Sequence, residues 1–164
     1  VYRWEARYGA HGDVFGRIDG MDRIAEWVDR VWAAEAPRYR RDIDPAPQVA
    51  VPRSNQRRAT ANHRTCAISI PQTMRTRWVI LHEVAHYLAG PWARHGGIFV
   101  GVLIGLLARH LSLPLEDLIA SAARHRVSVN LRAVVGPPWA AWTAASATLH
   151  ATFNRACEGM LPRS

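Results

Sequence analysis

Residues Trp78–Phe99 read WVILHEVAHYLAGPWARHGGIF, and the centre of the stretch is His82-Glu83-Val84-Ala85-His86, an H-E-x-x-H. On a helix, positions i and i+4 share one face and stand about 5–6 Å apart. His82 and His86 can therefore offer two imidazoles to one Zn²⁺, with Glu83 one step round the helix, beside the metal but not on it. Ile80, Leu81, Val84 and Leu88 fall on the opposite side, which gives the helix an apolar back for a core and a polar front for a cleft. Glu83 is the one charge between Trp78 and Ala89. A carboxylate on a buried helix is costly unless something offsets it, and a metal ion with its water would do so. The competing reading is a structural helix whose histidines only satisfy hydrogen bonds; the specificity of the motif in this setting speaks against it.

A catalytic zinc keeps three protein ligands and one open position. His95 is the natural third ligand. It follows Gly90-Pro91, which ends the helix and lets the chain turn back, and Gly96-Gly97 after it leaves the backbone free to present it. Glu116 and Asp117 are weaker candidates, because their place in the first turn of a later helix is already explained by the helix dipole. His11, His63, His110, His125 and His150 have no comparable placement, although His110 could stand near the reacting groups. With such a site, Glu83 is the general base towards a zinc-activated water. Tyr87, Arg94 and His110 are all possible donors to an oxyanion.

The rest of the chain sets the frame. Its 164 residues make one domain with a real core, and 49% hydrophobic against 21% charged residues argues against global disorder. The net charge is +8, and every basic side chain is an arginine. The arginines are scattered, with local density only at Arg38–Arg41 and Arg53–Arg64, so a solvated basic surface is favoured over a nucleic-acid groove. Cys66 and Cys157 stand far apart and make neither a disulfide framework nor a Cys-type zinc site. No secretory leader is visible, and the longest apolar run, Ile98 to Ala108, is short of the roughly 20 residues a membrane span needs. The expectation is a cytoplasmic protein with no membrane partner.

Taken in order, residues 1–18 carry little information. Ile24, Trp27, Val28 and Val31 predict a helix over Met21–Ala36, capped by Asp19 and closed by Pro37. Gln48–Val51, Arg57–Ala61 and Cys66–Ile70 read as three short strands of a small antiparallel sheet. Thr73 could cap the motif helix. A second apolar helix, Ile98–His110, carries glycines at 97, 101 and 105, a groove against which the metal helix could pack closely. Pro114 opens a third helix, Leu115–Arg126. After Gly136-Pro137-Pro138, Trp139, Trp142, Ser146, Leu149, Phe153, Ala156 and Met160 step as a helical seam, which could dock on the domain or self-associate. The division is a metallohydrolase domain over 1–135 and a helical appendage over 136–164.

H-E-V-A-H, eight residues, then H-G-G-I-F resembles the SprT-like metallopeptidases, in which a third histidine stands in an H-G-x-x-F context. In length and layout the chain is more closely similar to a family of small H-E-x-x-H metallohydrolases of actinobacteria and their phages. The resemblance covers roughly Val1 to Asn130 in layout, with specific residues only over Trp78–Leu107. It implies a zincin-like α+β fold, His82, His86 and His95 as zinc ligands, Glu83 as catalytic base, and peptidase activity. The metzincin pattern does not fit, since it needs a glycine at Ala89 and a histidine at Trp92. A SprT-type zinc ribbon cannot be made from Cys157 alone, so a role on DNA–protein crosslinks is not implied.

Three functions compete. The first is a zinc hydrolase acting on a protein or peptide, which could lie along the edge of the Cys66–Ile70 strand. The second is a regulatory protease resembling the ImmA and IrrE proteins, acting on a repressor; His95-Gly96 favours the first over it. The third is a basic nucleic-acid-binding or assembly module with structural zinc, which leaves Glu83 unexplained.

Overall fold

The computed structural model describes residues 1–7, 13–39 and 44–136. They form an α+β fold of six helices and one three-stranded sheet. The helices are α1 (Tyr2–Arg7), α2 (Met21–Glu35), α3 (Arg77–Ala89), α4 (Gly97–Leu111), α5 (Leu115–Arg124) and α6 (Leu131–Val135). The strands are β1 (Gln48–Ala50), β2 (Thr60–Asn62) and β3 (Ala67–Ser69). The seam from Trp139 to Met160, Cys157, His11 and His150 lie outside the described residues.

The sheet is mixed, where an antiparallel one was expected. Its order is β1-β3-β2, with β1 parallel to β3 and β2 antiparallel to β3. Only the short turn between β2 and β3 can close a hairpin. The segment after β1 is held elsewhere: the Gln56 side chain donates to the carbonyls of Arg58 (2.7 Å) and Ser69 (3.2 Å), and its Oε1 accepts from the Ser69 hydroxyl at 3.0 Å. That segment therefore crosses from one side of β3 to the other instead of folding β1 onto β2. As a result β3 is the central strand and offers no edge to a substrate. The Tyr87 hydroxyl, shared between the carbonyls of Asn62 (2.8 Å) and Ala67 (2.9 Å), fastens α3 to the β2–β3 hairpin.

Helix α3 is the buried centre of the fold. Trp78, Ile80, Leu81, Val84 and Ala85 are fully buried, as the apolar back of the motif requires. Its cap is Thr76, whose Oγ1 accepts the Val79 N–H at 3.2 Å; Thr73 falls in a separate single turn, Gln72–Met74. Likewise α2 starts after Gly20 at φ 92°, not on an Asp19 cap, and a tight turn over Ala36–Tyr39 follows it through Pro37. A proline without an N–H is tolerated in such a first turn.

Helix α4 is apolar on nearly every side because α3, α5 and α6 surround it. Its glycines do not face α3, the expected neighbour, but α6. A Cβ at Gly101 would collide with the Asn130 carbonyl oxygen, and one at Gly105 with the Val134 carbonyl oxygen, so the groove seats α6. Among the described residues no helix is long and apolar enough to cross a membrane.

Candidate metal centre

His82 and His86 project from α3 as the i, i+4 spacing requires, with ring centroids 5.1 Å apart. Gly90 then ends the helix at φ 87°, a conformation that disfavours any side chain, and its N–H closes on the His86 and Tyr87 carbonyls. Two tight turns, Ala93 N–H to Gly90 O and Gly96 N–H to Ala93 O, carry the chain back and aim His95 at the same spot. Gly96 itself is extended at φ −76°, so the conformational freedom is needed at Gly90 and not there. Nε2 of His95 stands 3.2 Å from Nε2 of His82. One ligand atom from each of the three histidines can be chosen so that all lie within 4.8 Å of one another. Phe99, fully buried, underlies the group, its ring 4.9, 4.4 and 4.9 Å from those of His82, His86 and His95.

The donor set suits zinc. Two nitrogens each about 2.0–2.1 Å from a tetrahedral zinc stand about 3.3 Å apart, close to the 3.2 Å between His82 and His95. The tautomer of His82 is also fixed. Its Nδ1–H donates to Oε1 of Glu5 at 2.7 Å, so the lone pair of the neutral ring lies on Nε2, towards His95. Glu5 is 2% exposed and also accepts the Trp78 indole N–H at 3.1 Å. Burial pushes the Glu5 carboxyl up, but the bonds and charge of His82 and the bond from Trp78 outweigh it and hold the group below its ordinary value. Burial opposes the His82 cation too, and Glu5 again outweighs it, so His82 is raised. Among the described residues His86 has no carboxylate partner. Burial and the neighbouring imidazoles of His82, His95 and His63 depress it to about 3, which keeps it neutral and a ready ligand.

Glu83 is 5% exposed and has no hydrogen-bond partner among the described residues. Burial raises its carboxyl to about 7; the charge of His82 pulls down and that of Glu5 pushes up. It lines a cavity of about 280 Å³ together with His82, Glu5, Tyr2 and Arg58. A poised carboxyl beside a histidine that could hold a metal ion is what general-base work would require.

The other sequence candidates are not in the site. His110 donates Nε2–H to Glu35 at 3.0 Å, near the far end of α4. Glu116 and Asp117 are exposed on α5, and Arg94 is exposed at φ 43° in the turn before His95. Tyr87 spends its hydroxyl on the sheet. Two residues of the site gave no signal in the sequence, Glu5 and Tyr2. The Tyr2 ring stacks on His82 at 5.6 Å and 20°, and its hydroxyl lies 3.2 Å from His95 Nε2. Their only common feature is an i, i+3 spacing on α1, which says nothing without the fold.

The chain matches no protein-family model, no curated protein and no solved structure.

Proposed function

We propose that the protein is a zinc-dependent hydrolase with a zincin-like arrangement, acting on peptide bonds. His82, His86 and His95 would hold the ion, and Glu83 is the general base. Bound zinc would supply Lewis acidity, bringing the pKa of water towards about 7 and polarising a carbonyl. The supporting observation is the conjunction of a three-imidazole cluster with a buried Glu83 that has no hydrogen-bond partner among the described residues and shares a cavity with His82, one of the three. Glu83 takes a proton from the attacking water and returns it to the leaving amine as the C–N bond breaks. Glu5 holds His82 in the tautomer that presents Nε2. The strand edge available to a substrate backbone is that of β2, since Arg58 and Ala59, which lead into it, line the Glu83 cavity.

The test is zinc content by mass together with peptide-library hydrolysis. Wild type should carry one zinc per chain. Glu83→Gln should keep the metal and lose hydrolysis by several orders of magnitude, whereas His95→Ala should lose the metal. Full hydrolysis by the Glu83→Gln protein would exclude this mechanism, and stoichiometric zinc in His95→Ala would remove His95 from the site. A regulatory protease acting on a repressor would share this chemistry and differ only in substrate.

A further inference from the structure

We infer that Tyr2 is a catalytic residue of this site, the donor that stabilises the oxyanion formed on the substrate carbonyl. The inference rests on the hydrolase reading above and adds a role for a residue outside the H-E-x-x-H stretch. Helix α1 delivers two side chains to the three imidazoles from an i, i+3 spacing. Glu5 goes behind His82 to its Nδ1, and Tyr2 goes in front, its ring stacked on His82 and edge-on to His95 at 4.8 Å. The Glu5 bonds to His82 and Trp78 are buried, so the placement of Tyr2 on the same helix is tied to the histidines.

The Tyr2 hydroxyl lies 3.2 Å from Nε2 of His95, and in the tautomer that could bind a metal this nitrogen carries the lone pair and the hydroxyl donates to it. Metal binding therefore ends this bond and leaves a phenolic O–H without an acceptor beside the ligands. Tyr2 is 57% exposed and lines the Glu83 cavity on one side and a second, wider cavity past His95 on the other. A carbonyl crossing from one cavity to the other would pass its hydroxyl. The hydroxyl of Tyr87, which the sequence also offered as a donor, is already shared between two carbonyls.

In the step assigned here, water oxygen bonds to the carbonyl carbon while Glu83 takes the water proton. The C=O π pair moves onto oxygen, which accepts the Tyr2 O–H hydrogen bond. When the C–N bond breaks, the pair returns to C=O and Glu83 protonates nitrogen. Tyr2 ends unchanged. Removing one oxyanion donor typically lowers kcat about 10²–10³-fold.

The test is equilibrium binding to zinc-loaded wild type and Tyr2→Phe, which keeps the stacked ring. One probe is an alanyl phosphinic dipeptide analogue, whose tetrahedral oxygens imitate the oxyanion; the other is a mercaptoacetyl-alanine amide, which engages through sulfur. We expect Tyr2→Phe to retain its zinc, to bind the thiol as wild type does, and to bind the phosphinate roughly 10- to 100-fold more weakly. Equal phosphinate binding by the two proteins would overturn the role of Tyr2 and leave the hydrolase reading standing. Parallel loss of both probes, with or without zinc, would make Tyr2 structural and overturn it as well. If neither probe binds wild type, the hydrolase reading falls and takes this role with it.

Discussion

Glu5 and Glu35 are each 2% exposed, and each accepts a hydrogen bond from a histidine, His82 Nδ1 at 2.7 Å and His110 Nε2 at 3.0 Å. The two groups lie near opposite ends of α4, whose Phe99 underlies the first and whose Arg109 and His110 belong to the second, about 16 Å apart along the helix axis. Around Glu35 the valences are filled. Arg109 donates to both carboxylate oxygens at 2.8 and 2.7 Å and to the Tyr39 hydroxyl at 3.1 Å, and Arg38 stands 3.8 Å away. Around Glu5 the network is open in one direction: His82 turns its second nitrogen to two more imidazoles, and it lines a cavity with the Glu83 carboxyl, which has no hydrogen-bond partner among the described residues. A carboxylate–histidine pair is therefore not diagnostic by itself. What separates a fastening from a reactive centre is whether an arginine neutralises the anion or the pair leaves lone pairs facing open space.

The sharpest way to break this contrast is to remove Glu35. Glu35→Ala strands Arg109 in a half-buried position and should cost about 3–5 kcal/mol in denaturant unfolding, with zinc content unchanged. A loss of zinc in a folded Glu35→Ala protein would show that the two ends are not separate in role. Glu5→Gln is the reciprocal change. It keeps shape and an acceptor for Trp78 but loses the charge behind His82, so zinc affinity should fall about 10- to 100-fold in a chelator competition. Undiminished affinity there would reduce Glu5 to a fastening like Glu35.

A smaller effect concerns acid. Burial raises the Glu35 carboxyl, but His110 and Arg109 outweigh it and bring it from 4.5 to about 2. Between these values the unfolded chain binds the proton and the folded one does not. The stability Glu35 contributes is thus complete above about pH 4.5 and lost as pH falls towards 2. Unfolding curves of wild type and Glu35→Gln should converge over that range, and parallel curves would contradict the assignment.

How much of this was legible follows from distance along the chain. The H-E-x-x-H helix, its apolar back and the turn that returns His95 are local, and helical periodicity with a Gly-Pro stop suffices to read them. The glycines of α4 mark a close-approach surface in the sequence, but α6 and not α3 covers it, because spacing gives a face and not its neighbour. The sheet is mixed where the sequence suggests an antiparallel one, because short strands with weak alternation do not disclose which side of β3 each will join.

The sequence by itself determined that His82, His86 and His95 come together beside Glu83, since those four residues are fixed relative to one another within 14 positions of helix and turn. Only the tertiary structure decided that Glu5 orients His82 across 77 residues, that Tyr2 meets His95 across 93, and that His110 belongs to a different carboxylate. Hydrogen bonds between distant side chains leave no period in the sequence. They exist only once burial of the apolar faces of α3 and α4 has brought their backbones together.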